Sequence, residues 1–122
     1  MATERDILDV IGRIESELPD FVAASLVDLE SGMTLAARSR RPDFDLGPAS
    51  AYNSEMVKQK LKIMKSLNLK THLEDMLLTL GDQIHLIKMV GQGTFLYLAA
   101  DRAGANLAIV RSAVNKHAGA LS

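Results

Sequence analysis

The chain of 122 residues contains no cysteine and no tryptophan, and aromatic residues make up only 4% of it. Without cysteine the protein has no disulfide, no thiolate nucleophile and no cysteine-ligated metal. Neither sign of charge dominates, because 14 Lys and Arg residues stand against 15 Asp and Glu residues. A net charge of -1 gives the whole molecule no field that would collect nucleic acid or an anionic membrane surface.

Long apolar runs are also missing. No segment approaches the roughly 20 apolar residues that span a bilayer, and the first ten residues, MATERDILDV, carry acids where a signal peptide has a basic segment. We therefore expect a cytoplasmic protein without membrane insertion. A chain of this length, 48% hydrophobic and 24% charged, fits one soluble domain over residues 1–122.

Motifs that carry chemistry are scarce. The histidines, His72, His85 and His117, lack the i, i+4 spacing that places two ligands on one metal. The glycine pair at 91–93 is followed by strand-like TFLYLAA, whereas a phosphate cradle requires a helix start after the loop. We interpret that pair as a hairpin turn. No cofactor is expected, and the sequence favours a protein that is not an enzyme.

A cluster of arginines is the feature closest to a catalytic device. Arg38, Arg40 and Arg41 follow the second predicted strand, and a guanidinium can stabilise phosphoryl transfer in a partner's active site. Asp43 and Asp45 stand close enough in sequence to neutralise them. A solvated loop of mixed charge is the favoured interpretation.

Apolar periodicity predicts three helices and five strands. The predicted helices run from Thr3, a candidate cap, to the residue before Pro19, from Pro48 to Asn68, and from Asn106 to Leu121. The predicted strands are Phe21 to Leu29, Met33 to Arg38, Leu73 to Leu80, Ile84 to Val90 and Phe95 to Ala100. Short turns within each strand group predict one five-stranded antiparallel sheet of α+β class, with the element order α-β-β-α-β-β-β-α.

The central strands need cover on both faces. We expect the crossover helix on one face and the two terminal helices on the other. The first strand is apolar on both parities and is predicted to be central. The second strand ends in arginines and is predicted to lie at an edge.

The crossover helix at 48–68 carries more apolar surface than one packing contact needs. At about 100° per residue its apolar residues form two sub-faces. The first sub-face is Tyr52, Met56, Ile63 and Leu67, and the second is Val57, Leu61 and Met64. We predict the first in the core because it is bulkier. The second sub-face, with Lys58 and Lys65, is then offered to another chain. The alternative is a deeply seated helix whose Lys60 extends its ammonium to water.

Three stretches together resemble the Roadblock family of dynein light chains, LAMTOR-type scaffolds and bacterial MglB-type regulators of small GTPases. They are ASLVDLESGMTLAA, the crossover helix, and the segment DMLLTLGDQIHLIKMVGQGTFLYLAADRAGANLAIVRSAV. The most specific piece is ANLAIVR at 105–111, which is similar to the family's asparagine-leucine start of the last helix. The chain departs from the family at LPDF, where many relatives carry glycine, and in the lysine and methionine content of the crossover helix.

The resemblance implies homodimers or heterodimers in which central helices lie side by side and edge strands can join two sheets. Leu77 and Thr79, on the predicted edge strand, therefore complete the candidate interface. It also implies a non-enzymatic scaffold or regulator that binds a Ras-like small GTPase through surface rather than a catalytic side chain.

A small-molecule sensor of PAS-like architecture is the alternative, since it also uses a five-stranded antiparallel sheet with flanking helices. Its site would be an apolar pocket with a few polar groups, lined by His85, Tyr97 or Lys88.

Overall fold

A computed structural model describes residues 2–121. The helices are α1 (Glu4–Glu17), α2 (Leu46–Ser66), α3 (Leu107–Ala118) and a 3₁₀ turn at Gly119–Leu121. The strands are β1 (Phe21–Asp28), β2 (Thr34–Ser39), β3 (Asp75–Thr79), β4 (Gln83–Val90) and β5 (Thr94–Asp101). This order and the α+β class confirm the prediction from the sequence.

The five strands form one antiparallel sheet in the spatial order β2-β1-β5-β4-β3. β1 and β5 lie at the centre, where both faces are covered, and their side chains are almost entirely buried. β2 and β3 form the two edges, as predicted. No helix within residues 2–121 is long and apolar enough to cross a bilayer.

Two apolar cores lie on opposite faces of the sheet. On one face α1 and α3 bury residues such as Ile11 and Val114 against Leu98. On the other face α2 buries Val57 against Phe95 and Tyr97. One helix therefore covers one face and two cover the other, as the sequence predicted.

Local chemistry fixes the helix ends. The Thr3 side chain accepts a hydrogen bond from the Asp6 amide while the Asp6 carboxylate accepts one from the Thr3 amide, which makes a capping box at α1. Asn106 caps α3 by accepting from the amides of Ala108 and Ile109. Asn68 has a φ of 56°, a left-handed conformation that ends the crossover segment.

The predicted orientation of α2 is wrong. Tyr52 is 77% exposed, Leu67 64% and Ile63 40%, so the bulky sub-face points outward. The sub-face predicted to face another chain points inward: Val57 and Met64 are buried, and Leu61 packs against the same core.

Small residues explain this orientation. Ser50 and Ser54 lie on the buried face of α2 with exposures of 0% and 1%. They allow the helix to approach the β1–β2 turn so closely that a Cβ added to Gly32 would lie 3.3 Å from the Ala51 Cα. The close approach of α2 to the β1–β2 turn therefore decides which side of the helix faces the core, and the size of the apolar side chains does not. Bulkier side chains at 50 and 54 would prevent this approach.

Candidate interaction surface

The outward face of α2 carries an exposed apolar stripe. It consists of Tyr52, Met56, Ile63 and Leu67, which we call the α2 stripe. At about 100° per residue these four positions fall within about 60° of one another around the helix axis. Met56 is partly buried against the α2-side core, and the other three are exposed. An apolar stripe in which three of four large side chains are exposed is typical of a protein contact.

The sheet face beneath α2 is only partly covered. α2 packs closely on β1 and β2. On the β3–β4 half of the same face Ile87 is buried, but four other side chains are only partly buried, and we call the region that they form the open half-sheet. It consists of Met76, Leu78, His85 and Met89. The molecule therefore exposes two apolar regions on one side of its sheet.

Among residues 2–121, β4 is the only strand that pairs with β3, so the backbone groups on the outer edge of β3 have no strand partner there. Arg111 of α3 fixes this strand through two hydrogen bonds to the Asp75 carboxylate, at 3.0 Å and 2.9 Å. Of the predicted interface residues on β3, Thr79 is exposed, whereas Leu77 packs on the α1–α3 core. An ordered edge strand of this kind can pair with a second chain.

The predicted lysines are not equivalent. The Lys58 ammonium donates a hydrogen bond of 2.7 Å to the Glu30 carbonyl, which ties α2 to the β1–β2 turn. Lys65 is exposed in the last turn of α2. Lys65 and Thr79 are therefore accessible to a partner, while Val57 and Met64 lie in the core.

The arginine cluster is held by ion pairs. Arg38 and Arg40 both donate to Glu15 of α1, with Nε to carboxylate distances of 2.9 Å and 2.8 Å. Arg41 pairs with Asp101. Partial burial tends to raise the pKa of Glu15, but the hydrogen bonds from Arg40 and Arg38 outweigh it and hold that pKa below the ordinary value. The acids that neutralise these arginines are thus distant in sequence, and neither is one of the predicted neighbours at 43 and 45.

The residues proposed for a sensor pocket pack against one another. The rings of His85 and Tyr97 meet edge to face with centroids 5.4 Å apart, and Tyr97 Oη lies 3.3 Å from His85 Nδ1. Burial lowers the pKa of His85, opposed by the nearby charge of Asp82. Burial also raises the pKa of Tyr97, against a hydrogen bond with Asn53. Neither aromatic residue lines the two grooves described for residues 2–121, and Lys88 lines only a shallow one of about 230 Å³ beside α3.

The other two histidines lie far from a common site. His72 is exposed with Nε2 3.8 Å from the Glu74 carboxylate, and His117 pairs with Glu17 at the ends of α3 and α1. Within the described range 2–121, no group of three or more His, Cys, Asp or Glu side chains is placed to hold a metal ion.

Comparison with known proteins gives structural matches only. No family model and no curated protein matches this sequence. Myxococcus xanthus MglB matches with a TM-score of 0.88 at 16% identity, over 99% of this chain and 88% of that one. A Roadblock/LC7 domain from Streptomyces avermitilis matches with a TM-score of 0.79 at 15% identity, over 99% and 95% of the two chains.

A further structure, MglB with a tetrameric arrangement, matches with a TM-score of 0.79 at 18% identity, over 95% of this chain and 87% of that one. Agreement over nearly the full length of both chains covers the element order, the sheet and both helical layers. The chain therefore has the Roadblock fold that the MglB structures share.

Proposed function

We propose that this protein is a non-enzymatic homodimeric scaffold or regulator that docks on a Ras-like small GTPase or on a complex containing one. The observation that carries the proposal is the α2 stripe. Tyr52 and Leu67 are 77% and 64% exposed although each could bury a large apolar area. Covering such a stripe with a second copy of the chain removes apolar surface from water and so stabilises association.

The open half-sheet strengthens the proposal because it lies on the same side of the sheet as α2. In a symmetric pair each surface of one copy meets the equivalent surface of the other. Two helices that lie side by side on that face would cover both stripes and part of both open half-sheets. The exposed β3 edge then lies where two sheets could join through backbone hydrogen bonds, with Thr79 and Lys65 at the margin.

A structural neighbour supports self-association. One of the matching structures is an MglB with a tetrameric arrangement, so a protein of this fold assembles into a tetrameric arrangement. The interface proposed for this chain differs from the one predicted from sequence alone. The exposed residues Tyr52, Ile63 and Leu67 replace Val57, Leu61 and Met64, which face the core.

The GTPase partner rests on the resemblance of the sequence to MglB-type regulators, together with the fold. The ion pairs of the three arginines favour a protein that binds the GTPase without supplying a catalytic side chain. Arg38, Arg40 and Arg41 are engaged by Glu15 and Asp101, so supplying a guanidinium to a partner would first require breaking these pairs.

Light scattering across a dilution series tests the dimer. The mass should be twice that of the chain at high concentration and fall toward the single-chain value on dilution. A single-chain mass at the highest attainable concentration would overturn the proposal.

The GTPase partner needs a separate test. Small GTPases from the same organism, loaded with GDP or with a non-hydrolysable GTP analogue, would be titrated against the protein by calorimetry. Binding that depends on whether the GTPase holds GDP or the GTP analogue supports a regulator. The rates of GTP hydrolysis measured with and without the protein distinguish activation from scaffolding. Absence of binding in both states would reject the GTPase partner and leave the dimer standing.

A further inference from the structure

A groove of about 860 Å³ lies on the α1–α3 side of the sheet, away from α2. Its floor is formed by Ile7 and Val10 of α1 and by Leu26 and Val90 of the sheet. Gly91 and Gln92 of the β4–β5 turn also line the groove. Since α2 and the open half-sheet face the other way, this groove is independent of the proposed dimer.

The floor is apolar and one wall extends the apolar surface outward. Leu35, the second residue of β2, lines the groove and is 43% exposed. The floor residues are nearly fully buried, so each presents only a small part of its side chain. Leu35 therefore offers a bound segment more apolar surface than any of the four floor residues does.

The rim of the groove is acidic. Its lining includes four carboxylates and one cation, which are Glu4, Asp6, Asp9, Asp28 and Arg13. Four negative charges against one positive leave a local excess of three negative charges, on a molecule whose net charge is only -1.

Two of these carboxylates are held in place as anions. The pKa of Asp6 is lowered by hydrogen bonds from Thr3, and the pKa of Asp28 is lowered mainly by hydrogen bonds from Ser31. The Asp28 carboxylate accepts from the Ser31 amide at 3.0 Å and from its hydroxyl at 2.6 Å. Both groups stay ionised near neutral pH. Among the ion pairs of residues 2–121, none engages Glu4 or Asp9.

We propose that this groove docks a short amphipathic peptide segment of another protein, one that carries apolar side chains flanked by lysine or arginine. The apolar floor fits the apolar side chains of such a segment, and the acidic rim fits its charges. Nucleic acid and anionic lipid do not fit, because the same rim repels phosphate.

The test uses synthetic peptides and the full chain. A helical peptide of leucine and lysine in amphipathic order would be titrated while the amide signals of the protein are followed by NMR. Two comparison peptides replace its lysines by glutamate or its leucines by glycine. We expect the leucine-lysine peptide to shift signals at Leu26, Val90 and the first turns of α1, and the other two to bind at least about tenfold more weakly.

A charge-reversal pair maps the rim. Glu4→Lys with Asp9→Lys should weaken the leucine-lysine peptide about tenfold or more, since each lost attraction and gained repulsion contributes a modest factor. The matched control is Glu55→Lys with Glu74→Lys, which changes the net charge equally at exposed carboxylates outside the groove lining. Asp6 is left in place because it caps α1. Circular dichroism confirms that each variant is folded.

The apolar wall has its own matched pair. Leu35→Ser should weaken binding, whereas Met33→Ser, at an exposed position outside the lining, should not. The proposal is overturned if the shifts fall on α2, if the glycine-lysine peptide or free spermine binds as well as the leucine-lysine peptide, or if both charge-reversal pairs weaken binding equally.

Discussion

Replacing Ile63 by aspartate is the sharpest test of the α2 stripe. Ile63 lies in the middle of the stripe and is 40% exposed. Full burial of an isoleucine contributes about 1.5–3 kcal/mol, so covering the exposed part contributes about 1 kcal/mol in each copy and about 2 kcal/mol in a symmetric pair. Loss of that contribution alone raises the dimer Kd about thirtyfold. A carboxylate buried in the same contact costs several kcal/mol more and carries the increase beyond about a thousandfold.

The measurement is molecular mass by light scattering over a dilution series, with circular dichroism as a check on folding. Ile63→Asp should be a folded single chain at concentrations where the unchanged protein is dimeric. The matched control is Lys62→Asp, an adjacent exposed position off the stripe, which changes the charge more yet should leave the dimer intact. A folded Ile63→Asp protein that dimerises like the unchanged chain would refute the reasoning.

Leu61→Asp distinguishes the two possible orientations of α2, because each orientation predicts a different effect. If Leu61 faced a partner, this change would split a dimer and leave a stable monomer. Because Leu61 packs against the α2-side core, we expect it to lower the free energy of unfolding by about 2–4 kcal/mol. Thermal unfolding monitored by circular dichroism separates the two orientations.

Three further changes test particular contacts. Gly104→Ala places a Cβ 2.7 Å from the Asp20 carboxylate oxygens, but that carboxylate ends a side chain that can rotate away, so the unfolding free energy should fall by less than about 1 kcal/mol, and Asp20→Ala in the same chain should remove even that loss. Arg111→Gln removes the two hydrogen bonds to Asp75 and should speed hydrogen exchange in β3 while costing about 1 kcal/mol at most. Burial lowers the pKa of His85 below its usual 6.5, so the unfolded chain binds that proton more tightly. Stability should therefore be full above about pH 6.5 and fall as the pH drops below it, and melting temperatures of His85→Gln across that range should be flatter.

The architecture could be predicted from the sequence because its signals are local. Apolar periodicity and capping residues such as Thr3 and Asn106 mark the helices, and glycine-bearing turns mark the strand pairs. The strongly apolar β1 marks an interior strand, and the arginines that end the predicted second strand mark an edge. These signals do not require knowledge of what lies across the core.

The orientation of α2 depends on long-range contacts, which explains the wrong prediction. Both sub-faces are apolar and the helix can bury either one. The side that faces inward carries the small residues Ser50 and Ser54, which are buried. A Cβ at Gly32 would lie 3.3 Å from the Ala51 Cα and 3.5 Å from the Ser54 Oγ, so a bulkier side chain at 54 would push the helix away from the β1–β2 turn. The sequence feature that indicates the inward side of α2 is the pair of serines at 50 and 54. At about 100° per residue they lie on the same side of the helix as Val57 and Leu61.

The ion pairs of the arginine cluster could not be predicted from the sequence either. Arg38 and Arg40 meet Glu15 across more than twenty residues of chain, because α1 packs beside β2. Sequence proximity suggested the acids at 43 and 45, but Arg41 pairs with Asp101 and the other two arginines pair with Glu15. Charge pairing on a folded surface follows the packing of elements.

Two neighbouring residues on β3 separate a function in association from a function in the core. Successive strand residues point to opposite faces, so Leu78 belongs to the open half-sheet and Leu77 packs on the α1–α3 core. Both leucines are half-buried against a core, so aspartate at either position should lower the melting temperature. Leu78→Asp should also weaken self-association of the folded protein, whereas Leu77→Asp should leave it unchanged. The two variants share a strand, a residue type and a charge change, so edge damage affects both alike. Equal effects of the two on association would mean that the β3 edge alone holds the copies together, and that the apolar face beneath α2 has another occupant.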